Sequence, residues 1–301
     1  MKLAVNEIKN KLFLEKQLSL NLLRLDLIDA YWGGNKIFKL KYNLEAAQKL
    51  GCDTLLTFGG AYSNHLAATA SAGKAMGFKT IGIVRGEEQL PLNPTLKHVQ
   101  SCGMLLKYVS REQYRNKNQD QFLEQLKEEF GNFYLIPEGG SNQLAVQGCA
   151  EILAQTEINF DVVCCACGTG TTLVGLTLML NANQRALGFS SLKGGNFLEN
   201  SVAQMILEHS SEKDIKSLKW EIQTDYHFGG YGKINPPLLS FTKAFFETEG
   251  IQLDLVYTAK MMYGIYSLAE KDYFLPGTKL LAIHSGGVQG NKGFGLQLIL
   301  L

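Results

Sequence analysis

Short apolar runs alternate with amphipathic stretches along nearly the whole chain, and glycine-rich turns stand where several of the apolar runs end. That alternation leaves few architectures open. Strands that each give way to a helix line up as parallel sheets with helices on their faces, an α/β fold. We read strands at 54–58, 79–84, 104–109, 133–136, 160–165, 185–189, 220–223 and 279–283. Helices are expected at 63–76, 94–101, 111–130, 142–155, 171–180, 201–209, 237–249 and 258–269. Glycine turns follow Phe58, Ile136, Cys167 and His284. Ligands of open parallel sheets lie beyond the carboxyl ends of strands. The glycines, 31 of 301 residues, therefore mark the side of the molecule where a ligand would sit.

Charge and hydropathy remove several function classes. Lys and Arg total 29 against 28 Asp and Glu, which leaves no electrostatic case for nucleic acid. No apolar run approaches the roughly 18 residues of a membrane span. Glu7 and Lys9 interrupt the N-terminus before any signal-like apolar stretch, so we expect a cytoplasmic protein with reduced thiols. Cys164, Cys165 and Cys167 lack zinc-site spacing and read as small residues of a buried strand; no metal is expected. The length fits two lobes with a cleft between them.

Four stretches carry chemistry. In the first, Lys36 follows Gly33-Gly34-Asn35 where a tight turn meets a helix start. A lysine amine held in a cleft can lose its proton and form a Schiff base. On spacing alone Lys36, Lys39 and Lys41 compete for that role. In the second, a strand ends at Gly59-Gly60 and a helix begins at Ser63-Asn64-His65, whose free amides would face a carboxylate. The third, Gly168-Thr169-Gly170-Thr171-Thr172, follows an apolar strand and has the makings of a phosphate cradle: glycines for close approach, and hydroxyls and a helix start for donors. It matches neither the P-loop nor the dinucleotide fingerprint. The fourth, His284-Ser285-Gly286-Gly287, sets a hydroxyl at a strand end.

An amine, a carboxylate site, a phosphate cradle and a strand-end hydroxyl together suit pyridoxal phosphate. The block from Gly33 to His65, G-G-N-K-x-x-K-L-x-Y-x-L followed by G-C-D-T-L-x-x-x-G-G-x-x-S-N-H, resembles the 1-aminocyclopropane-1-carboxylate deaminase and D-cysteine desulfhydrase family. The resemblance continues through Pro137–Asn142, Gly168–Thr172, Val256-Tyr257 and His284–Gly287. It implies the two-domain tryptophan-synthase β-like fold, fold type II, with open parallel twisted sheets and flanking helices. The larger cofactor-binding domain would comprise 1–46 plus 151–301, and the smaller α/β domain 47–150, with the active site between them. It also implies a homodimer acting in amino-acid metabolism.

The same resemblance assigns roles. Lys36 would be the Schiff-base lysine, and Asn64 would bond the cofactor's phenolic oxygen. Ser63 would lie beside the substrate's Cα and carboxylate, with Asn64 and His65 completing the substrate site. Gly168, Thr169, Gly170, Thr171 and Thr172 would hold the phosphate. Tyr257 would be an active-site tyrosine and Ser285 the partner of the pyridine nitrogen. Deaminase members usually carry Leu where this chain has Ser285 and Tyr where it has Ala282. The expected reaction is therefore a D-cysteine desulfhydrase-like β-elimination to pyruvate, ammonia and sulfide. The alternatives are 1-aminocyclopropane-1-carboxylate deamination and, in another class, cofactor binding without turnover. The family's usual opening segment is reduced here to Leu23–Asp26, which would trim an edge strand or one side of the cleft. His227 and Tyr231 sit in a glycine-rich loop at 225–233 that could line the cleft. A hydrolase role for Ser63 fails for lack of G-x-S-x-G, and a nicotinamide oxidoreductase for lack of G-x-G-x-x-G.

Overall fold

The ten strands of the described residues fall into two sheets. In chain order they are β1 Val5–Glu7, β2 Ser19–Arg24, β3 Thr54–Gly60, β4 Lys79–Arg85, β5 Leu105–Val109, β6 Tyr134–Ile136, β7 Val162–Cys167, β8 Arg185–Ser190, β9 Trp220–Gln223 and β10 Lys279–His284. The structure is a computed structural model and describes residues 3–209 and 218–294. One sheet has six strands in the order β1-β2-β10-β7-β8-β9, the other four in the order β5-β4-β3-β6. Only β1 and β2 pair antiparallel; the other pairings among the described residues are parallel.

Burial explains the strand sequences. All six residues of β7, Val-Val-Cys-Cys-Ala-Cys, are buried, as a central parallel strand covered on both faces requires. One face of the large sheet packs Leu20, Leu22, Cys164, Leu187 and Leu280 against Met261, Ile265 and Phe245 of helices Thr258–Glu270 and Pro236–Glu249. The other packs Leu23, Val163, Cys165 and Leu281 against Val146, Leu173 and Val202 of helices Gln143–Ala150, Thr171–Thr177 and Phe197–Leu207. The six cysteines are all free, and the three in β7 are core residues, as their spacing indicated.

The differences from expectation have local causes. The stretch 111–130 forms two helices, Arg111–Arg115 and Asp120–Phe130, not one. Asn116 caps the first, because Asn-Lys-Asn-Gln offers turn-forming side chains and no apolar anchor. The stretch 142–155 ends its α-helix at Ala150 and finishes as a 3₁₀ turn at Leu153–Gln155. The helix expected at 201–209 begins earlier, at Phe197. The N-terminal segment adds two strands to those expected, β1 and β2, and β2 pairs with β10 from Lys279↔Ser19 to His284↔Arg24.

Two helices tie the first chemical stretch into this frame. Helix Asn35–Lys49 packs against helix Gln143–Ala150, and the contact is closest at Gly148. A Cβ on Gly148 would fall 1.9 Å from the Phe38 carbonyl oxygen. Backbone cannot yield cheaply there, so Gly148→Ala is expected to cost about 2–4 kcal/mol. Urea unfolding at unchanged m-value checks it; a loss below about 0.5 kcal/mol would show that the two helices do not meet in this way.

Candidate active site

The turn before Lys36 is clamped from two sides. A Cβ on Gly33 would lie 2.3 Å from the Asp29 carbonyl oxygen, and one on Gly34 would lie 2.1 Å from that of Ser285. Gly34 also has φ +62°, which glycine adopts at no steric cost. The Asn35 amide donates to the Ser285 carbonyl at 3.1 Å, and the Asn35 side-chain amide donates to Thr172 Oγ1 at 2.9 Å. The helix thus starts against the end of β10, and Lys36 leaves its first turn into a cleft of about 790 Å³. Lys36 Nζ donates to Asn35 Oδ1 at 2.8 Å.

Helical phase separates the three candidate lysines. Lys39, three residues on, faces the same way and is buried. Its amine donates to the Gly139 carbonyl at 3.0 Å and to Thr169 Oγ1 at 3.2 Å. Lys41 points away and pairs with Glu151 at 2.7 Å in a partly exposed bridge, worth under about 1 kcal/mol. Burial, and then repulsion from Lys39, pulls the Lys36 pKa down to about 7. Burial also lowers that of Lys39. An ammonium costs several kcal/mol to bury without a counter-ion, so this cleft favours a neutral, nucleophilic amine at Lys36.

The residues given site roles in the sequence all line this cleft, though some differ in detail; Lys41 does not, and His227 stays in its own loop, accepting the Gly229 amide at 2.9 Å. The phosphate-loop hydroxyls converge: Thr169 Oγ1 lies 2.9 Å from Thr171 Oγ1, which lies 2.8 Å from Ser141 Oγ. Gly168 makes room, since a Cβ there would come 3.1 Å from the Tyr257 ring. Gly170 turns the chain at φ +80° into the following helix. The Thr172 hydroxyl instead accepts from Asn35 and so braces the lysine turn. At the other anchor, Ser63 caps helix Asn64–Met76 by accepting the Leu66 amide at 3.2 Å. The Ser63 amide donates to the Gly60 carbonyl at 2.9 Å, so it is not one of the free donors the sequence suggested. The amides of Asn64 and His65, first in the helix, are left facing the cleft. The His65 ring turns inward, with Nε2 2.9 Å from Thr57 Oγ1; burial, Lys36 and Lys39 hold it well below the usual histidine pKa and so neutral.

Tyr257 and Ser285 close the far wall. Asp254 is buried and its carboxylate accepts the amides of Val256, Tyr257 and Thr258 at 2.7–3.1 Å, which fixes the Tyr257 backbone. Burial and the neighbouring Tyr231 raise the Tyr257 pKa well above its usual value, so the phenol keeps its proton. Tyr231, from the glycine-rich loop, stacks edge-on to Tyr257 at 6.0 Å and lines the cleft. Buried Lys260 holds that loop by donating to the Gly230 carbonyl at 2.7 Å. His284 accepts the Gly286 amide at 3.3 Å and donates from Nε2 to the Gln252 carbonyl at 2.8 Å, which shapes the turn that presents Ser285. Ser285 shares a small recess with Lys36, Asn64 and Tyr257. Sequence reasoning missed Lys39 as a cradle residue and Asp254 and Arg85 altogether, and gave Glu138, in the Pro137–Asn142 stretch, no role; only the i,i+3 spacing of Lys36 and Lys39 could have pointed to the first.

A family model for pyridoxal-phosphate dependent enzymes matches residues 14–286. The chain belongs to that family. A protein of Pyrococcus horikoshii, provisionally named 1-aminocyclopropane-1-carboxylate deaminase, is 34% identical over 92% of this chain and 87% of its own length. The Arabidopsis thaliana bifunctional D-cysteine desulfhydrase/1-aminocyclopropane-1-carboxylate deaminase is 30% identical over 85% of this chain and 69% of its own. Among solved structures, one described as an ACC deaminase homologue superposes with TM-score 0.83 at 30% identity, covering 100% of this chain and 94% of the other. The fold is therefore type II of the pyridoxal-phosphate enzymes, and the protein is a lyase or deaminase of the deaminase/desulfhydrase type. Among the described residues no helix is long and apolar enough to cross a membrane.

The cleft fits the cofactor. It offers at Lys36 an amine whose pKa is lowered to about 7 and a glycine–hydroxyl cradle, with the Lys39 amine bonded into that cradle at Thr169. The free base of Lys36 is the reactive form. Capture of pyridoxal phosphate by apoprotein should therefore climb with pH and level off just above pH 7. Stopped-flow absorbance across pH 6–10 reads it; a rate still rising toward pH 10 would show an ordinary solvated lysine at work.

Proposed function

We propose that the protein eliminates the β-substituent of a small amino acid, as in the D-cysteine desulfhydrase reaction, releasing pyruvate, ammonia and sulfide. The observation that carries this reading is a hydroxyl side chain, Ser285, at the end of β10 beside Lys36 and Tyr257. Pyridoxal phosphate supplies the electron sink when bound. A hydroxyl facing its ring nitrogen holds that nitrogen protonated less firmly than a carboxylate would, a moderated sink that suits elimination better than transamination. Lys36 would hold the cofactor, and its near-neutral pKa would let its free amine accept the substrate's Cα proton. The amides of Asn64 and His65 and the Ser63 hydroxyl dock the carboxylate. The Cα–H electron pair forms a Cα=Cβ bond as Cβ–S breaks with its pair on sulfur. Tyr257, held protonated, would hydrogen-bond and position the departing thiolate, which leaves as the anion. The unsaturated amine then hydrolyses to pyruvate and ammonia. With the cofactor bound, Asn64 would bond its phenolic oxygen and Gly168–Thr172 would hold its phosphate.

The names of the relatives favour a second reading, deamination of 1-aminocyclopropane-1-carboxylate, and the plant relative's name carries both activities. Ser285, a hydroxyl where deaminase members usually carry Leu, is what supports elimination over that reading. We further propose that 1–46 with 151–301 and 47–150 act as two lobes around the cleft. The protein would work as a homodimer in the cytoplasm.

The holoenzyme should show a visible cofactor band that shifts on adding D-cysteine, with pyruvate formed. Ser285→Leu should lower pyruvate formation about tenfold or more. 2-Oxobutyrate from 1-aminocyclopropane-1-carboxylate at a higher kcat/KM than pyruvate from D-cysteine would establish the deaminase reading. A band indifferent to both compounds would mean cofactor binding without turnover.

A further inference from the structure

We propose that the cleft continues into an annex that takes a carboxylate carried on the leaving group, with Arg85 as the residue that reads it. The inference rests on the elimination reading above and narrows its substrate class to β-substituted alanines with an acidic substituent.

The annex is a cavity of about 530 Å³ that shares the walls Gly60, Ala61, Tyr62 and Arg85 with the cleft. Sheet register puts Arg85 there: β4 pairs with β3 so that Arg85 lies opposite Gly60, the residue that opens the turn to Ser63 and Asn64. An Arg85 guanidinium nitrogen would lie 3.6 Å from a Cβ on Gly60. The cation therefore stands at the junction of the two cavities, on the substrate side of the carboxylate-docking turn.

Counting charges leaves Arg85 unmatched. Lys36 and Lys39 are committed to the cofactor and its cradle. Glu138 accepts the Tyr114 hydroxyl at 2.8 Å and pairs with Lys117 at 3.4 Å. Asp254 is saturated by three amides. Arg85 itself lies over the Tyr114 ring at 5.7 Å and makes no ion pair among the described residues. Arg111 lines the annex too, and the buried Tyr108 hydroxyl has no hydrogen-bond partner. Glu87 is a carboxylate of the same wall; it is exposed, as are Arg85 and Arg111, and the two guanidinium groups outnumber it. A departing sulfide would leave all of this unused. A carboxylate one or two bonds beyond the sulfur would engage a cation that is otherwise unpaired.

A matched pair of probes tests it. S-Carboxymethylcysteine and S-carbamoylmethylcysteine have nearly the same shape and differ in charge; each is used as the D and the L form. Spectral titration of the holoenzyme gives an apparent Kd for each, and pyruvate release reports elimination. The acid should bind at least about fivefold tighter than the amide. Arg85→Gln should bring the ratio to about one, and Arg85→Lys should keep part of it. A ratio near one in the wild type, or Arg85→Gln weakening both compounds equally, overturns the annex while leaving elimination standing. A preserved ratio without pyruvate from either compound overturns elimination, and the leaving-group assignment with it.

Discussion

The rest of the site depends on one close approach of backbone to backbone. Gly33 and Gly34 let the chain press against Asp29 and Ser285 at distances where a single Cβ could not fit. The Asn35 amide then bonds the Ser285 carbonyl, so the strand end that presents the hydroxyl and the turn that presents the lysine are one unit. Thr172 joins it through the Asn35 side chain, which couples the phosphate loop to the same turn. Three of the four stretches singled out in the sequence thus meet at Asn35. The remaining one, Ser63–His65, follows a strand of the other sheet and completes the cleft from across it.

Electrostatics follows from that geometry. Two amines share one poorly solvated wall, and each disfavours the charge of the other. Hydrogen bonds to a carbonyl and a hydroxyl keep Lys39 in place without neutralising it. A dianionic phosphate ester in the adjoining cradle would supply the missing counter-charge. Asp254 is spent on backbone amides and steadies Tyr257. The cleft therefore offers one amine free to react, one amine fixed beside the cradle, and a phenol that keeps its proton. Those suit carbanion chemistry on an amino acid: a base, an anchored anion and a hydrogen-bond donor.

Much of this could be read from residues alone, for physical reasons. Buried parallel strands are continuous apolar runs, so β3, β4, β7 and β10 stood out, and glycines at their ends marked the ligand side. The N-terminal strands did not. Ser19–Arg24 is leucine-rich rather than β-branched, and Val5–Glu7 is too short to show a period. Local sequence identified the Lys36 turn but could not rank Lys36 over Lys39 and Lys41; the resemblance did so there, and depth in the fold did so in the structure. Likewise nothing local told that the Ser63 amide would bond Gly60, that Lys260 would hold the Tyr231 loop, or that Asp254 would be buried beneath Tyr257. Those contacts join residues far apart in the chain or depend on a turn's closure. Arg85 reached the cleft through strand register, which a single sequence does not display.

The central claim is that Lys36, and neither of its neighbours, carries the cofactor. Borohydride reduction of the holoenzyme makes the lysine–cofactor bond permanent, and peptide mass spectrometry then locates it. The account predicts the pyridoxyl-phosphate mass on Lys36 alone. Its appearance on Lys39 or Lys41 would contradict the account at its root, because the clamped turn, the lowered pKa and the recess beside Ser285 all belong to Lys36.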